Sequence, residues 1–145
     1  MAYFKFTKAI LEGHTIDVYN DGHHKRDFTY VDDVVEAIER LLLHPPQPKP
    51  HLLGTPLEAD YSSAPYKLYN IGNQSPVQLT YLIEVLESTL GKKALKNMLP
   101  LQPGDVVETF AEVQDLINDV GFQPRTTLKD GIERFVAWYR EHYQV

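Results

Sequence analysis

The chain opens with apolar residues at helical spacing. Tyr3, Phe6 and Ile10, with Phe4 and Leu11 beside them, predict a helix over residues 2–13 that Gly13 closes. The period then drops to two. Thr15 to Asn20 reads as a short strand that runs into a turn at Asp21-Gly22. Helical spacing returns over 31–43, where Val34, Ile38, Leu41 and Leu42 form one stripe, widened by Val35. Asp32 and Asp33 fall in its first turn, where carboxylates favour the positive helix end, and His44-Pro45-Pro46 stops it. Lys67 to Ile71 predicts a further strand ending at Gly72-Asn73. Ser75 as N-cap, Pro76 as first helical residue and Gln78 completing a capping box predict where the next helix starts. Its buried face is Leu79, Leu82, Ile83, Leu86 and Leu90, and Gly91 ends it. Residues 95–106 read as extended and turn-rich. Val113, Leu116, Ile117 and Val120 outline a short helix closed by Gly121. Thr127, with Asp130 three residues on, caps a last helix whose core face is Leu128, Ile132, Phe135, Val136 and Tyr139.

This alternation predicts a mixed α/β fold (α+β), with about five helices and a few short strands. A length of 145 residues suits a single domain over 1–145 with a real hydrophobic core. The interruption is the stretch 45–66, which holds six of the ten prolines and reads as a long internal loop.

Composition narrows the chemistry. With no cysteine, disulfides, thiol nucleophiles and thiolate metal sites are excluded. The net charge of −6 gives no electrostatic footprint for nucleic acid, while leaving room for a local basic pocket. No apolar run approaches the roughly 18 residues of a membrane span, and the first residues lack the apolar core of a signal peptide. The expectation is a cytoplasmic protein without nucleic-acid or membrane partners. His23-His24 reads as a solvated loop, because adjacent histidines in a turn do not converge on one ion and nothing nearby completes a metal site.

Six segments in order carry a family resemblance: Phe6 to Gly13, Asp17 to Asn20, Arg26 to Asp33 (Arg-Asp-Phe-Thr-Tyr-Val-Asp-Asp), Tyr69 to Asn73, Leu99 to Val106 and Gly121 to Pro124. Together they resemble the C-terminal, substrate-binding part of NAD-dependent epimerase/dehydratase proteins of the extended short-chain dehydrogenase/reductase type. Among these the chain is most similar to UDP-glucuronate 4-epimerases. The resemblance implies a Rossmann-type enzyme that oxidises sugar C4 with NAD and returns the hydride to the other face. That chemistry rests on a glycine-rich fingerprint and a Tyr-x-x-x-Lys pair. This sequence contains neither, so the expectation is no NAD site and no catalytic residue in this chain, and no turnover by it alone.

The resemblance also implies site residues. Arg26 would grip the UDP phosphates with its planar guanidinium; the alternative is a structural ion pair with Asp27, Asp32 or Asp33. Asp105, on the turn after Pro103-Gly104, would accept hydrogen bonds from both ribose hydroxyls, or else stabilise its own turn. Gln102 stands beside it, where related sugar epimerases often carry Arg. Asp17 and Tyr19 alternate on their strand with Ile16 and Val18; the Tyr19 ring would flank uracil, or simply pack. The expected ligand is UDP or a UDP-sugar, held weakly. In the full enzymes the helix at 31–43 and the strand at 67–71 pack on the cofactor-binding sheet. Val35, Ile38 and Leu68 therefore need cover, from an N-terminal Rossmann half or from a second copy in a homo-oligomer. A free-standing binding or oligomerisation module derived from the same part is the alternative function.

Overall fold

The computed structural model describes residues 1–48 and 62–145. In chain order the elements are α1 (Ala2–Glu12), β1 (Thr15–Tyr19), a 3-10 turn (Asn20–Gly22), β2 (Lys25–Arg26), α2 (Val31–Leu43), β3 (Val77–Gln78), α3 (Leu79–Leu90), β4 (Leu95–Leu99), α4 (Gln114–Val120) and α5 (Leu128–Tyr143). Five α-helices and short strands among the described residues agree with the mixed α/β reading. They fall into two compact units. One comprises 1–28, 75–110 and 126–145, the other 29–74 and 111–125.

The first unit is built round α3. Leu82, Val85, Leu86 and Leu90 pack with Ile10 of α1 and with Ile132 and Val136 of α5. On its other side Ile83 meets Ile16 and Val18 of β1. Side chains such as Leu82 and Leu86, with no exposed surface, each contribute about 1.5–3 kcal/mol by leaving water. Strand β1 pairs parallel with β4, register Asp17 with Asn97 and Tyr19 with Leu99. Its burial alternates, with Ile16 and Val18 inward and Thr15 and Asp17 outward. Basic side chains close helix ends: Lys92 Nζ donates to Leu11 O (2.8 Å) and Arg140 Nη2 to Leu90 O (3.1 Å). Thr127 caps α5 as expected, its hydroxyl accepting from Asp130 N–H (3.1 Å).

The second unit packs Ala37 of α2 against Val113, Leu116 and Phe122, with Leu41, Tyr69 and Ile71 alongside. Arg40 reaches from α2 to Val120 O and Gly121 O (3.4 and 3.2 Å), its guanidinium 4.9 Å from the Phe122 ring centroid. Lys67 Nζ pairs with Asp119 (2.7 Å) and Asp115 (3.1 Å) of α4, and Tyr69 donates its hydroxyl to Asp119 Oδ2 (2.7 Å).

Four expectations change. The strand predicted at 67–71 is reduced to a single bridge at Lys67: the residues alternate in burial as a strand would, yet no described strand pairs with 68–71. The capping box at Ser75 and Gln78 is not used. Val77-Gln78 pairs antiparallel with Lys25-Arg26, so α3 begins only at Leu79, and Gln78 is its N-cap without a side-chain bond. The stripe on α2 is divided, with Leu41 and Val34 on its half-buried edge and the rest exposed. The helix buries Asp33 and Ala37 with Leu41 beside them, and leaves Val31, Val35, Ile38 and Leu42 in solvent. Finally, the solvated-loop reading fails at His24, which is only 5% exposed while His23 is open to solvent. Of the expected proline-rich loop at 45–66, residues 49–61 lie outside the described residues.

Candidate functional site

The parallel pairing of β1 and β4 sends both following segments out at the same end of the sheet. β1 leads through the 3-10 turn into 23–26, and β4 leads into 100–110. In open α/β sheets such carboxyl ends are where ligands bind. The first of these turns is tight. Asp21 has φ +48° and Gly22 φ +80°, and a Cβ on Gly22 would stand 2.5 Å from Thr80 Cγ2 of α3. Only glycine lets the chain pass there unstrained.

Backbone bonds then stitch the two segments together. Lys25 N–H donates to Val107 O (2.8 Å) and Thr109 N–H to Lys25 O (3.2 Å). Asp27 N–H reaches Thr109 Oγ1 (3.2 Å), and Lys25 Nζ meets Glu108 (3.5 Å). Asp27 also accepts Ser75 N–H (3.2 Å), and Leu79 N–H donates to His24 O (2.8 Å), which fixes the segment to the start of α3.

Arg26 sits half-buried in this ladder. Its Nη1 donates to Lys25 O (2.8 Å) and Val107 O (3.2 Å). Among the described residues no ion pair with its neighbour Asp27 forms, and Nε and Nη2 make no hydrogen bond within this ladder. Asp105 closes a Gln102-Pro103-Gly104-Asp105 turn in which its N–H donates to Gln102 O (3.2 Å) and Gly104 has φ +85°. That geometry fits a type II turn, with Pro second and Gly third. The whole 101–110 segment is exposed, Gln102 and Asp105 included. The Asp105 carboxylate lies 3.7 Å from His24 Nε2.

The other two candidates sit on β1. Asp17 Oδ1 accepts from Asn97 Nδ2 across the strand pair (2.8 Å), and Tyr19, half-buried, leads into the 3-10 turn. The structure thus brings Arg26, Gln102 and Asp105 to one stitched pair of segments and keeps Asp17 and Tyr19 on the strand that feeds it. His24, Asp27 and Thr109 also shape this region. Strands as short as Lys25-Arg26 and Val77-Gln78 have no period by which to be found.

A dinucleotide needs a strand that passes through a glycine turn into a helix, so that amide N–H groups meet its pyrophosphate. Among the described residues no strand does so: the glycine turn after β1 leads on to β2, and the Gly104 turn after β4 leads into the extended segment to 110, well short of α4. These residues do not fit NAD, and no hydride step is derived from them. No described helix is long and apolar enough to cross a membrane.

Residues 1–72 match the NAD dependent epimerase/dehydratase family. The chain is 55% identical over 144 residues to Protein CapI of Staphylococcus aureus, covering 99% of this chain and 43% of that protein. It is 41% identical over 145 residues to a probable UDP-glucuronate 4-epimerase of Rhizobium meliloti, covering 99% of this chain and 42% of that protein. Its fold superposes on UDP-glucuronic acid 4-epimerase from Bacillus cereus, solved with UDP-glucuronic acid and NAD. The TM-score is 0.76 at 26% identity, over 99% of this chain and 40% of that one. The chain thus spans about two fifths of the length of the relatives it matches, and it aligns with their C-terminal portion.

Proposed function

We propose that this relative of the C-terminal portion of UDP-glucuronate 4-epimerases binds a UDP-sugar and supplies no catalytic group of its own. Arg26 grips the diphosphate, Asp105 takes the ribose hydroxyls, Gln102 stands at the turn beside it, and Asp17 and Tyr19 flank the uracil. One observation carries the reading. The ladder between 25–27 and 107–109 holds an arginine with no ion pair among the described residues, next to an exposed carboxylate turn. A cation for phosphate and a carboxylate for a diol are the two groups that a nucleoside diphosphate requires. Arg26 is also braced by two carbonyls, so less side-chain freedom is lost on binding.

The test is a titration of the purified chain with UDP, followed by backbone amide NMR shifts. Shifts at 24–27 and 102–109 are expected at millimolar ligand. Arg26→Ala should weaken binding by roughly ten- to a hundredfold, the loss of a charged hydrogen-bonding group. No shifts in these segments would dismiss the site. Equal binding by Arg26→Ala would dismiss the phosphate assignment.

A second property accompanies this one. Val35 is 48%, Ile38 47% and Leu68 54% exposed, and Val31, Val35, Ile38 and Leu42 follow one another along a single face of α2. A continuous apolar row of this kind is a surface that wants cover. A second copy of the chain is the occupant we assign to it, and an N-terminal Rossmann half of a longer protein would compete for the same face.

A further inference from the structure

We propose that His24 is a positioning residue for the ribose-binding carboxylate: its buried Nε2–H aims the Asp105 side chain at the nucleotide. The inference rests on the UDP-binding reading above. Its ground is a polar atom out of place. His24 is 5% exposed, and its Nε2 is buried without a hydrogen-bond partner among the described residues. Buried polar groups are nearly always bonded, and one that is not calls for a specific account. An apolar side chain would fill the same space at no such cost.

The ring cannot turn away from its orphaned position easily. The His24 carbonyl accepts Leu79 N–H at the start of α3, and Lys25 next to it is bonded through both backbone groups to 107–109. The backbone therefore fixes the Cα–Cβ direction, and burial of the ring restricts its rotamers. The imidazole points at Asp105, whose Oδ2 lies 3.7 Å from Nε2. That separation is too long for a hydrogen bond. Asp105 is exposed, however, and a small side-chain rotation closes the gap. The competing charges nearby are already engaged. Glu108 takes Lys25, and Arg26 faces carbonyls, which leaves His24 as the one basic group within 4 Å of the Asp105 carboxylate among the described residues. With Oδ2 drawn to the buried imidazole, Oδ1 is presented outward, and one carboxylate orientation is selected from those an exposed Asp would sample. Preorganisation of that kind raises affinity only for ligands that use the carboxylate.

That last point gives the test. UDP and 2′,3′-dideoxy-UDP are titrated against wild type, His24→Leu and His24→Gln. His24→Leu should lose about tenfold for UDP and little for the dideoxy analogue. His24→Gln, which keeps an N–H donor near the Nε2 position, should return most of the UDP affinity. Equal losses for both ligands, or no loss, overturn the proposal, because a merely structural role would not distinguish the diol. A ligand-free arm keeps the two readings separable. Long-range 1H–15N spectra of the neutral ring should show the Nε2–H tautomer, and its Nε2 resonance should move in Asp105→Asn. If wild type takes no UDP, the nucleotide reading falls and the ribose role with it, while a moving resonance still establishes the His24–Asp105 coupling. An unmoved resonance removes the coupling itself.

Discussion

Glu87 offers the sharpest quantitative prediction. It lies in the last turn of α3, 4% exposed, with both carboxylate oxygens taken. Oε2 accepts from Lys93 Nζ (2.8 Å), and Oε1 accepts from Lys96 Nζ (2.6 Å) and Ala94 N–H (3.1 Å). Burial acts to raise its pKa and is the largest single influence, but the bonds from Lys93, Lys96 and Ala94 together outweigh it and hold the carboxyl at about 2, against 4.5 unperturbed. A folded-state pKa below the unfolded one means stability that is fully present above about 4.5 and lost as pH falls towards about 2. A difference of that size is worth about 3 kcal/mol at most, and the water-exposed head of Lys93 brings the expectation nearer to about 2. Glu87→Gln keeps the shape and removes the charge. Urea unfolding at pH 7 should show the variant less stable by about 2 kcal/mol. The gap between variant and wild type should shrink steadily below pH 4.5 and nearly vanish near pH 2. A gap that stays constant with pH would mean that the loss is one of packing. No gap at pH 7 would mean that desolvation cancels the ion pairs, and either result refutes the reasoning.

Two further outcomes follow from backbone and surface. Gly22→Ala should destabilise by about 2 kcal/mol in urea unfolding, because an L side chain at φ +80° is strained and its Cβ meets Thr80 Cγ2 at 2.5 Å. Gly91→Ala, at φ +70° with nothing within 4 Å, should lose only the backbone part, and equal losses would show that Thr80 simply turns aside. The purified chain should show a mass above the monomer by light scattering at micromolar concentration, and Ile38→Lys in the exposed row of α2 should return it to a monomer. A monomeric wild type would discard the self-association.

The sequence made some elements legible and hid others for a physical reason. Helices α1, α4 and α5 and strand β1 are specified locally, by apolar period, by Thr127 at one end, and by Gly13 and Gly121 in the left-handed region at others. The Pro103-Gly104 turn that presents Asp105 is local too, which is why the carboxylate could be singled out. The capping box was equally well formed in sequence, yet Val77 and Gln78 gain more by pairing with Lys25 and Arg26 than by starting a helix. On α2 the apolar residues share one arc, so periodicity identifies the helix and its apolar side without saying which edge of that arc is covered. The packing of Ala37 on Val113, Leu116 and Phe122 decides that.

The candidate site divides along the same line. The sequence supplied Arg26 and Asp105 as residues of suitable chemistry but gave no reason for them to be neighbours. Their proximity comes from Val107 and Thr109, some eighty residues from Lys25 along the chain, whose backbone groups carry no side-chain signature. His24 was missed for the same cause. Two adjacent histidines look alike in sequence, and only the bond from Leu79 N–H to the His24 carbonyl, with the ladder beyond it, sends one ring inward and leaves the other in water. A site assembled by backbone pairing between distant segments should therefore tolerate side-chain changes at Val107 better than loss of the Thr109 hydroxyl, which accepts Asp27 N–H, or any change that shifts the register of Lys25. The residues to test for function are those the ladder positions, Arg26, Asp105 and His24, and not the ladder itself.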